Sequence, residues 1–443
     1  MGKKKKKNRN RRRDDVGNYT RLDGHVHVYM RDNPLAGGDG GMLLPTAIAN
    51  AKSNGVTHMI VVMHDSLGGF VDYVQDHNLD PNAIFHEIDG VQVSFGAEVT
   101  CRDFQSTNEK GNTSKLHLLV VGPKLTPDSP IVKLLQLKTE NDIMFDFGRL
   151  MFVAKANGID LDPAMVKDYV LDKARHTPGY SSIGRKDILD FFADNGIDLA
   201  ISQRGLNDLL DRVPPMPRMN IDMRDLIKVA HASGAMVIFA HPAVNLRRTT
   251  DPEKTIRNFF SAGGDGAESE YSDSSSHFDT MICDIGNELR GKNKVVRTPG
   301  SDTHRISSTT AVGKIRGNLI ARNAHEKALE EIKTIEEARA EGKLTSRVYP
   351  EVSQEEVEGI LKKYELEHNT YMQIYNEALI RFTAPPASGA GESAIELEPE
   401  SQTIQVADVL SEIVDDVENT PPTNNGTPPV SGGDDNASGA DGM

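Results

Sequence analysis

The chain has 443 residues, 37% of them hydrophobic, with two cysteines and a formal charge of −15. That length accommodates one large domain carrying an insertion, or two to three smaller ones. No apolar run approaches the roughly 18 residues that a membrane span needs, no hydrophobic stretch follows the N-terminal charges, and Cys101 and Cys283 form no Cys-x-x-Cys. A membrane protein, a secretory signal and a disulfide or zinc-ribbon framework are therefore not expected, and a reducing, cytoplasmic compartment is.

The charge is spread unevenly. Residues 1–13 hold nine Lys or Arg and no acid, and residues 385–443 hold twelve Asp or Glu and no Lys or Arg. Residues 1–19 read as a basic disordered arm, either a tether for RNA or DNA or a solvated tail. Residues 384–443, rich in Pro, Gly, Ser, Thr and Asn, cannot bury enough apolar area to order themselves and read as a disordered acidic tail.

Thr20–Val28 reads as a short strand. It places His25 and His27 on one side, because strand side chains alternate, with Asp23 upstream able to hold a ring N–H. Residues 31–42 form a Gly- and Asp-rich loop with Asp39, and Leu43–Asn54 has helical apolar spacing that stops at Gly55. Val56–Met63 is nearly continuously apolar, as in a buried parallel strand, and runs into His64-Asp65. Gln92–Val99 carries Gly96-Ala97-Glu98, and Lys115–Val121 contains His117.

The rhythm then changes. Residues 123–224 hold helical segments at Pro130–Leu137, Asp142–Asn157, Pro163–Arg175, Arg185–Asn195 and Arg204–Val213, a helical insertion placed to cap a site. Alternation resumes with a helix at Met223–Ser233 and a strand at Ala235–Ala240 that ends in His241-Pro242. A helix at Glu253–Ala262, a strand at Gly266–Tyr271 with Glu268, a helix at His277–Leu289 and a strand at Lys294–Arg297 follow, the last running into Gly300-Ser301-Asp302-Thr303-His304. The expected organisation is a barrel in two parts, 20–122 and 225–322, interrupted by the 123–224 insertion and followed by a charged helical extension over 323–383.

About seven strand–helix units imply an α/β fold with a parallel sheet, and each run reads as carrying its polar residue at or near the strand's C-terminal end. Barrel enzymes place their chemistry there, so a closed or nearly closed β/α barrel is expected, with an open doubly wound sheet as the alternative. The cluster would hold His25, His27, His64, Glu98, His117, His241, Asp302 and His304. Imidazoles and carboxylates without thiolate suit Mn, Fe or Zn better than Ca or Mg. They exceed the three or four protein ligands of one ion, so two or three divalent ions sharing carboxylates are expected. Taken singly, His117 in an apolar strand reads as a core histidine, and Asp302-Thr303-His304 as a turn or helix cap.

In order and spacing these motifs resemble the PHP (polymerase and histidinol phosphatase) superfamily over about residues 20–310. The match is closest to its members that cleave nucleoside 3′,5′-bisphosphates or act as 5′–3′ exoribonucleases. The residues that carry it are Asp23-Gly24-His25-Val26-His27, Asp39-Gly40, His64-Asp65, Gly96-Ala97-Glu98, His117, His241-Pro242 and Gly300–His304. The resemblance implies a distorted (β/α)7 barrel with a helical insertion. It also implies His25, His27, Glu98 and Asp302 at one ion, bridging Glu98 with His117 and His241 at a second, and Asp39, His64 and His304 at a third. Manganese leads among the metals, with Fe or Zn as alternatives. Asp23, Asp65 and Glu268 would support the ligands from behind.

Two departures stand out: Met63 occupies a position usually held by Asp, and the insertion lacks the usual Arg-x-His helix signature. Arg185, Arg247 and Arg248 remain as candidate phosphate contacts or ordinary surface residues. The implied activity is hydrolysis of phosphate esters of nucleotides or short oligonucleotide ends by metal-activated water. The alternatives are an exonuclease-like or accessory nucleic-acid module tethered by the arm, and a non-catalytic barrel that only binds. The oligomeric state is left open.

Overall fold

The computed structural model describes residues 21–28, 42–176, 183, 185–199, 205–206, 218–271, 275–291, 295–304, 306, 311–315, 318–320, 328–330, 333–334, 336–337 and 352–383. The basic arm, the acidic tail, Asp39 and all but two residues of Arg204–Val213 lie outside them.

Nine strands build the main sheet: β1 (Leu22–His27), β2 (His58–His64), β3 (His86–Ile88), β4 (Val91–Thr107), β5 (Thr113–Val121), β6 (Ile221–Asp222), β7 (Met236–Phe239), β8 (Gly266–Glu270) and β9 (Val296–Pro299). Their order is β1-β2-β4-β5-β7-β8-β9, with β3 and β6 also paired to β4. The sheet curls until its ends approach: Val26 bridges Thr303 beyond β9, where the His27 amide donates to the Thr303 carbonyl at 3.0 Å and the Asp302 amide to the His25 carbonyl at 2.9 Å. Leu22, Ile60, Val62, Leu119, Val121, Met236, Ile238 and Val296 pack together on one face of this nearly closed barrel. Alternate residues, among them Met59, Val61, Phe95, Leu118, Val120, Val237 and Phe239, pack on the other with the helices. Both faces are buried, which is why the strands read as unbroken apolar runs.

Two strands depart from the expected parallel arrangement. The short β3 runs antiparallel to β4. β5 runs antiparallel to both β4 and β7. The chain between β4 and β5 turns through Asn108–Asn112, closed by the Asn108 amide on the Asn112 carbonyl at 2.8 Å, with Gly111 at φ 77°. A connection this short permits only antiparallel pairing, since a parallel crossover needs a dozen residues or more. β4 itself extends eight residues past the expected Val99, to Thr107.

The helices are α1 (Leu44–Ser53), α2 (Gly68–Asp76), α3 (Pro130–Ala156), α4 (Pro163–His176), α5 (Arg185–Asp194), α6 (Met223–Ala232), α7 (Pro242–Leu246), α8 (Pro252–Ser261), α9 (Ser276–Arg290) and α10 (Gln354–Thr383). The polar stretch Lys138–Asn141, which reads as a break between two helices, lies inside α3. The helix continues because its polar residues are buried and paired. Lys138 meets Asp142 at 2.6 Å, Asn141 accepts from the Met219 amide at 2.6 Å, and Asp146 accepts from the Ile183 amide at 2.6 Å. The charged C-terminal helix α10 packs on α3 and α6, where the Tyr364 hydroxyl donates to Asp225 at 3.0 Å and accepts from the Asp222 amide at 2.8 Å. Among the described residues no helix is long and apolar enough to cross a membrane.

Candidate metal centre

The centre gathers at one end of the barrel. Strand alternation sends His25 and His27 the same way from β1, and their Nε2 atoms come within 2.9 Å of each other. Two imidazole nitrogens approach this closely when both aim at one point. Asp302 Oδ1 lies 3.3 Å from His27 Nε2 and 3.7 Å from His25 Nε2; it is buried and makes no hydrogen bond of good geometry. A buried carboxylate oxygen facing two imidazoles without a donor suits a cation between them.

Glu98, only 2% exposed, sits at the middle. Its Oε2 lies 3.2 Å from His27 Nε2 and 3.2 Å from His64 Nδ1. Its Oε1 lies 2.8 Å from His117 Nδ1 and 2.7 Å from His241 Nε2. The two oxygens of one carboxylate thus serve two sets of nitrogens. Three donor groups result: His25, His27 and Asp302; Glu98, His117 and His241; and His27, His64 and His304. Within the third, His64 and His304 Nε2 are 3.5 Å apart. His27 joins this group, where the resemblance implies Asp39. His117 enters from β5 against the direction of its neighbours, paired opposite Thr100 of β4, so it does not stand at its strand's C-terminal end.

Local backbone shape holds these side chains. Asp65, His241 and Asp302 have φ of 52°, 25° and 51°, a region that costs non-glycine residues roughly 1–3 kcal/mol each. Each is pinned through its amide: Asp65 to the Glu98 carbonyl at 2.9 Å, Asp302 to the His25 carbonyl, and His241 to Glu268 Oε2. Gly300 permits the close packing, because a Cβ there would fall 1.7 Å from Glu268 Oε1.

Two of the three supporting acids, Asp23 and Asp65, bond elsewhere than expected, and the third, Glu268, stands behind a ligand. Asp23 holds no imidazole; its carboxylate accepts the backbone amides of Ser301 at 3.0 Å and Gly313 at 2.6 Å, and so fixes the Gly300–His304 segment. The His25 ring is held by Glu268, whose Oε1 lies 3.1 Å from Nδ1, leaving Nε2 to face inward. Asp65 turns from His64 toward the Thr100 amide at 2.7 Å and Lys138 Nζ at 3.1 Å. Buried Lys138 and Asp142 and half-buried Arg218, which join Asp65 in one run of charges, carry no motif. Their only signal in the sequence is the i,i+4 spacing of Lys138 and Asp142. Arg247 and Arg248 are exposed just past α7, the helix that follows His241, and the Arg185 side chain lies outside the described residues.

At His25, Glu98 and Asp302 burial opposes the charge, but neighbours override it. Glu268 and Asp302 lift His25 well above the ordinary imidazole value. Hydrogen bonds from His117 and His241 hold Glu98 well below the ordinary carboxyl value, and His25 and His27 hold Asp302 below its own. Burial and the charge of His27 push His64 down to about 4, and His304 also downward. His27 and His241 are raised as His25 is, so an ion binding at these nitrogens must displace protons, whereas the Glu98 and Asp302 carboxylates are already ionised. The donor set, nitrogen and carboxylate oxygen without sulfur, suits a divalent metal.

No family model matches the chain, and no curated protein does. Among solved structures, one from Bifidobacterium adolescentis assigned as a metal-dependent phosphoesterase aligns at 17% identity over 71% of this chain and 96% of that one, with a TM-score of 0.45. An amidohydrolase from Chromobacterium violaceum, solved with bound sulfate and no metal, aligns at 16% identity over 71% and 97% of the two chains, with a TM-score of 0.43. Likeness at this level says nothing about activity, which has to be argued from the centre itself.

Proposed function

We propose that the chain is a metal-dependent hydrolase that removes phosphate from nucleotides or from the 5′ ends of short oligonucleotides. The observation that carries this reading is Glu98, whose Oε1 faces His117 and His241 while its Oε2 faces His27 and His64. A carboxylate shared in this way serves a centre of more than one ion. His25, His27 and Asp302, with Glu98, would hold one ion; Glu98, His117 and His241 a second; His64 and His304, with His27, a third. The resemblance to the PHP superfamily puts manganese first, and the imidazole and carboxylate donors also suit Fe or Zn. Divalent ions held there would supply a nucleophile from water at neutral pH and offset charge on the phosphoryl oxygens.

The chain's own part is positioning. Glu268 fixes the His25 ring from behind, and Asp23 fixes the segment that carries Asp302 and His304. Water activated by such ions can itself attack phosphorus, so hydrolysis there would need no covalent protein intermediate. Phosphoryl transfer asks mainly for placement and charge neutralisation, which is what such a centre provides. Arg247 and Arg248 are candidates to meet a substrate phosphate at the rim, and the nine cations of residues 1–13 favour a nucleic-acid substrate.

The test is a panel of nucleoside bisphosphates, mononucleotides, histidinol phosphate, and linear and circular oligonucleotides. Chelated protein should lose activity and regain it with Mn(II). His25→Ala and Asp302→Ala should each abolish turnover with the circular dichroism spectrum intact. Rapid cleavage of circular RNA would remove the end-directed part of the proposal. A fully metal-loaded chain inert on the whole panel would favour a barrel that only binds.

A further inference from the structure

Lys138 is charged, lies deep in α3 at 2% exposure, and belongs to no barrel strand. Its Nζ sits 3.1 Å from Asp65 Oδ2 and 2.6 Å from Asp142 Oδ2, and Asp142 Oδ1 accepts Arg218 Nε at 2.6 Å. We propose that Lys138 is a positioning residue for His64, acting through Asp65, and hence for the donor group that His64 completes with His27 and His304. This rests on the metal reading of the centre.

The argument runs through one peptide. Asp65 follows His64 directly and holds a left-handed backbone, φ 52°. Three contacts over-determine that turn: the Asp65 amide on the Glu98 carbonyl, the Thr100 amide on Oδ1, and Lys138 on Oδ2. On the other side of His64 stands Met63, a buried apolar side chain, so no acid precedes the histidine. Without Lys138, the Asp65 carboxylate, in a residue 1% exposed, loses its counter-charge. It reaches water only by giving up the turn, and the turn sets where the His64 ring begins. His64 Nδ1 then leaves Glu98 Oε2. The second group is borne by Glu98, His117 and His241, on or just after β4, β5 and β7; Glu98 meets the Asp65 amide through its backbone carbonyl, whereas its Oε1 is held by His117 and His241. Burial opposes the charge on Lys138, but Asp65 and Asp142 raise its pKa above the ordinary lysine value, so the contact is ionic at neutral pH.

The experiment titrates Mn(II) into the metal-freed full-length chain by calorimetry and counts bound ions by elemental analysis. Lys138→Met should bind one ion per chain about 10–100-fold more weakly, as when a supporting partner of a ligand is lost, with the remaining ions unchanged. Lys138→Met combined with Asp142→Asn removes one charge of each sign from α3. It should recover thermal stability without recovering the weak ion, because Asp65 stays unpaired. Stability and ion affinity returning together would make Lys138 merely structural. A folded variant with wild-type ion count and affinities would overturn the inference alone. Wild-type protein that binds no ion would overturn the proposed function and this inference with it.

Discussion

Glu98→Gln exchanges one carboxylate oxygen for an NH₂, and the amide must turn that donor toward either the His117–His241 side or the His27–His64 side. Two donor groups are weakened by one substitution, so metal content should fall further than for any single histidine replaced by alanine. Elemental analysis of the purified variants decides this, and unchanged metal in Glu98→Gln would dissolve the bridging assignment. Asp23→Asn makes a separate case away from the donors. The amide can accept from only one of the Ser301 and Gly313 N–H groups, which costs about 1–3 kcal/mol in urea unfolding. Burial raises the Asp23 pKa above its ordinary 3.8 despite those amides. A carboxyl that titrates higher when folded binds its proton preferentially in the native chain. Its contribution is therefore fully present below pH 3.8 and is lost as pH rises through the folded value, a dependence that the asparagine variant should lack. At this scale the donor residue types were legible as short motifs at strand ends. The partnerships were not: Asp23 sits beside His25 in sequence, whereas the acid that holds the ring is Glu268, 243 residues away. No local pattern announces a pair of that separation.

The apolar runs of β2 and β7 identified themselves because a strand buried on both faces has no alternation to hide it. The direction of β5 did not, although the Asn108–Asn112 turn and its glycine are visible in the sequence. Expecting a uniform series of strand–helix units overrode that local turn chemistry. α3 was misread for the converse reason. Lys138 and Asn141 look like a solvated interruption, yet both are buried, as are Asp142 and Asp146 beyond them, and all four are bonded to distant backbone or side chains. Asp146→Leu tests that account, because it removes the acceptor of the Ile183 amide and the partner of Arg149, 3.1 Å away, in one step. Unfolding by urea should show a loss of about 3–5 kcal/mol, the range for stranding one member of a buried pair, whereas a solvated interruption would yield less than 1 kcal/mol.

At the scale of the whole barrel, alternation of strands and helices was enough to forecast a closed or nearly closed barrel with its polar residues near one end. What stayed out of reach were the contacts that bring the ends together, such as the Asp302 amide on the His25 carbonyl and Asp23 reaching Ser301 across 278 residues. The donor groups differ greatly in the chain length they enclose. Glu98 and His117 are 19 residues apart and meet across a hairpin, whereas the group containing His25 and Asp302 spans nearly the full barrel. A growing polypeptide on the ribosome would therefore display the hairpin pair long before Asp302 and His304 had been made. Until those residues leave the exit tunnel the emerging chain owns only fragments of the three donor groups, so a product truncated before Asp302 would keep the Glu98–His117 pair and lack the group that His25 and His27 share with Asp302.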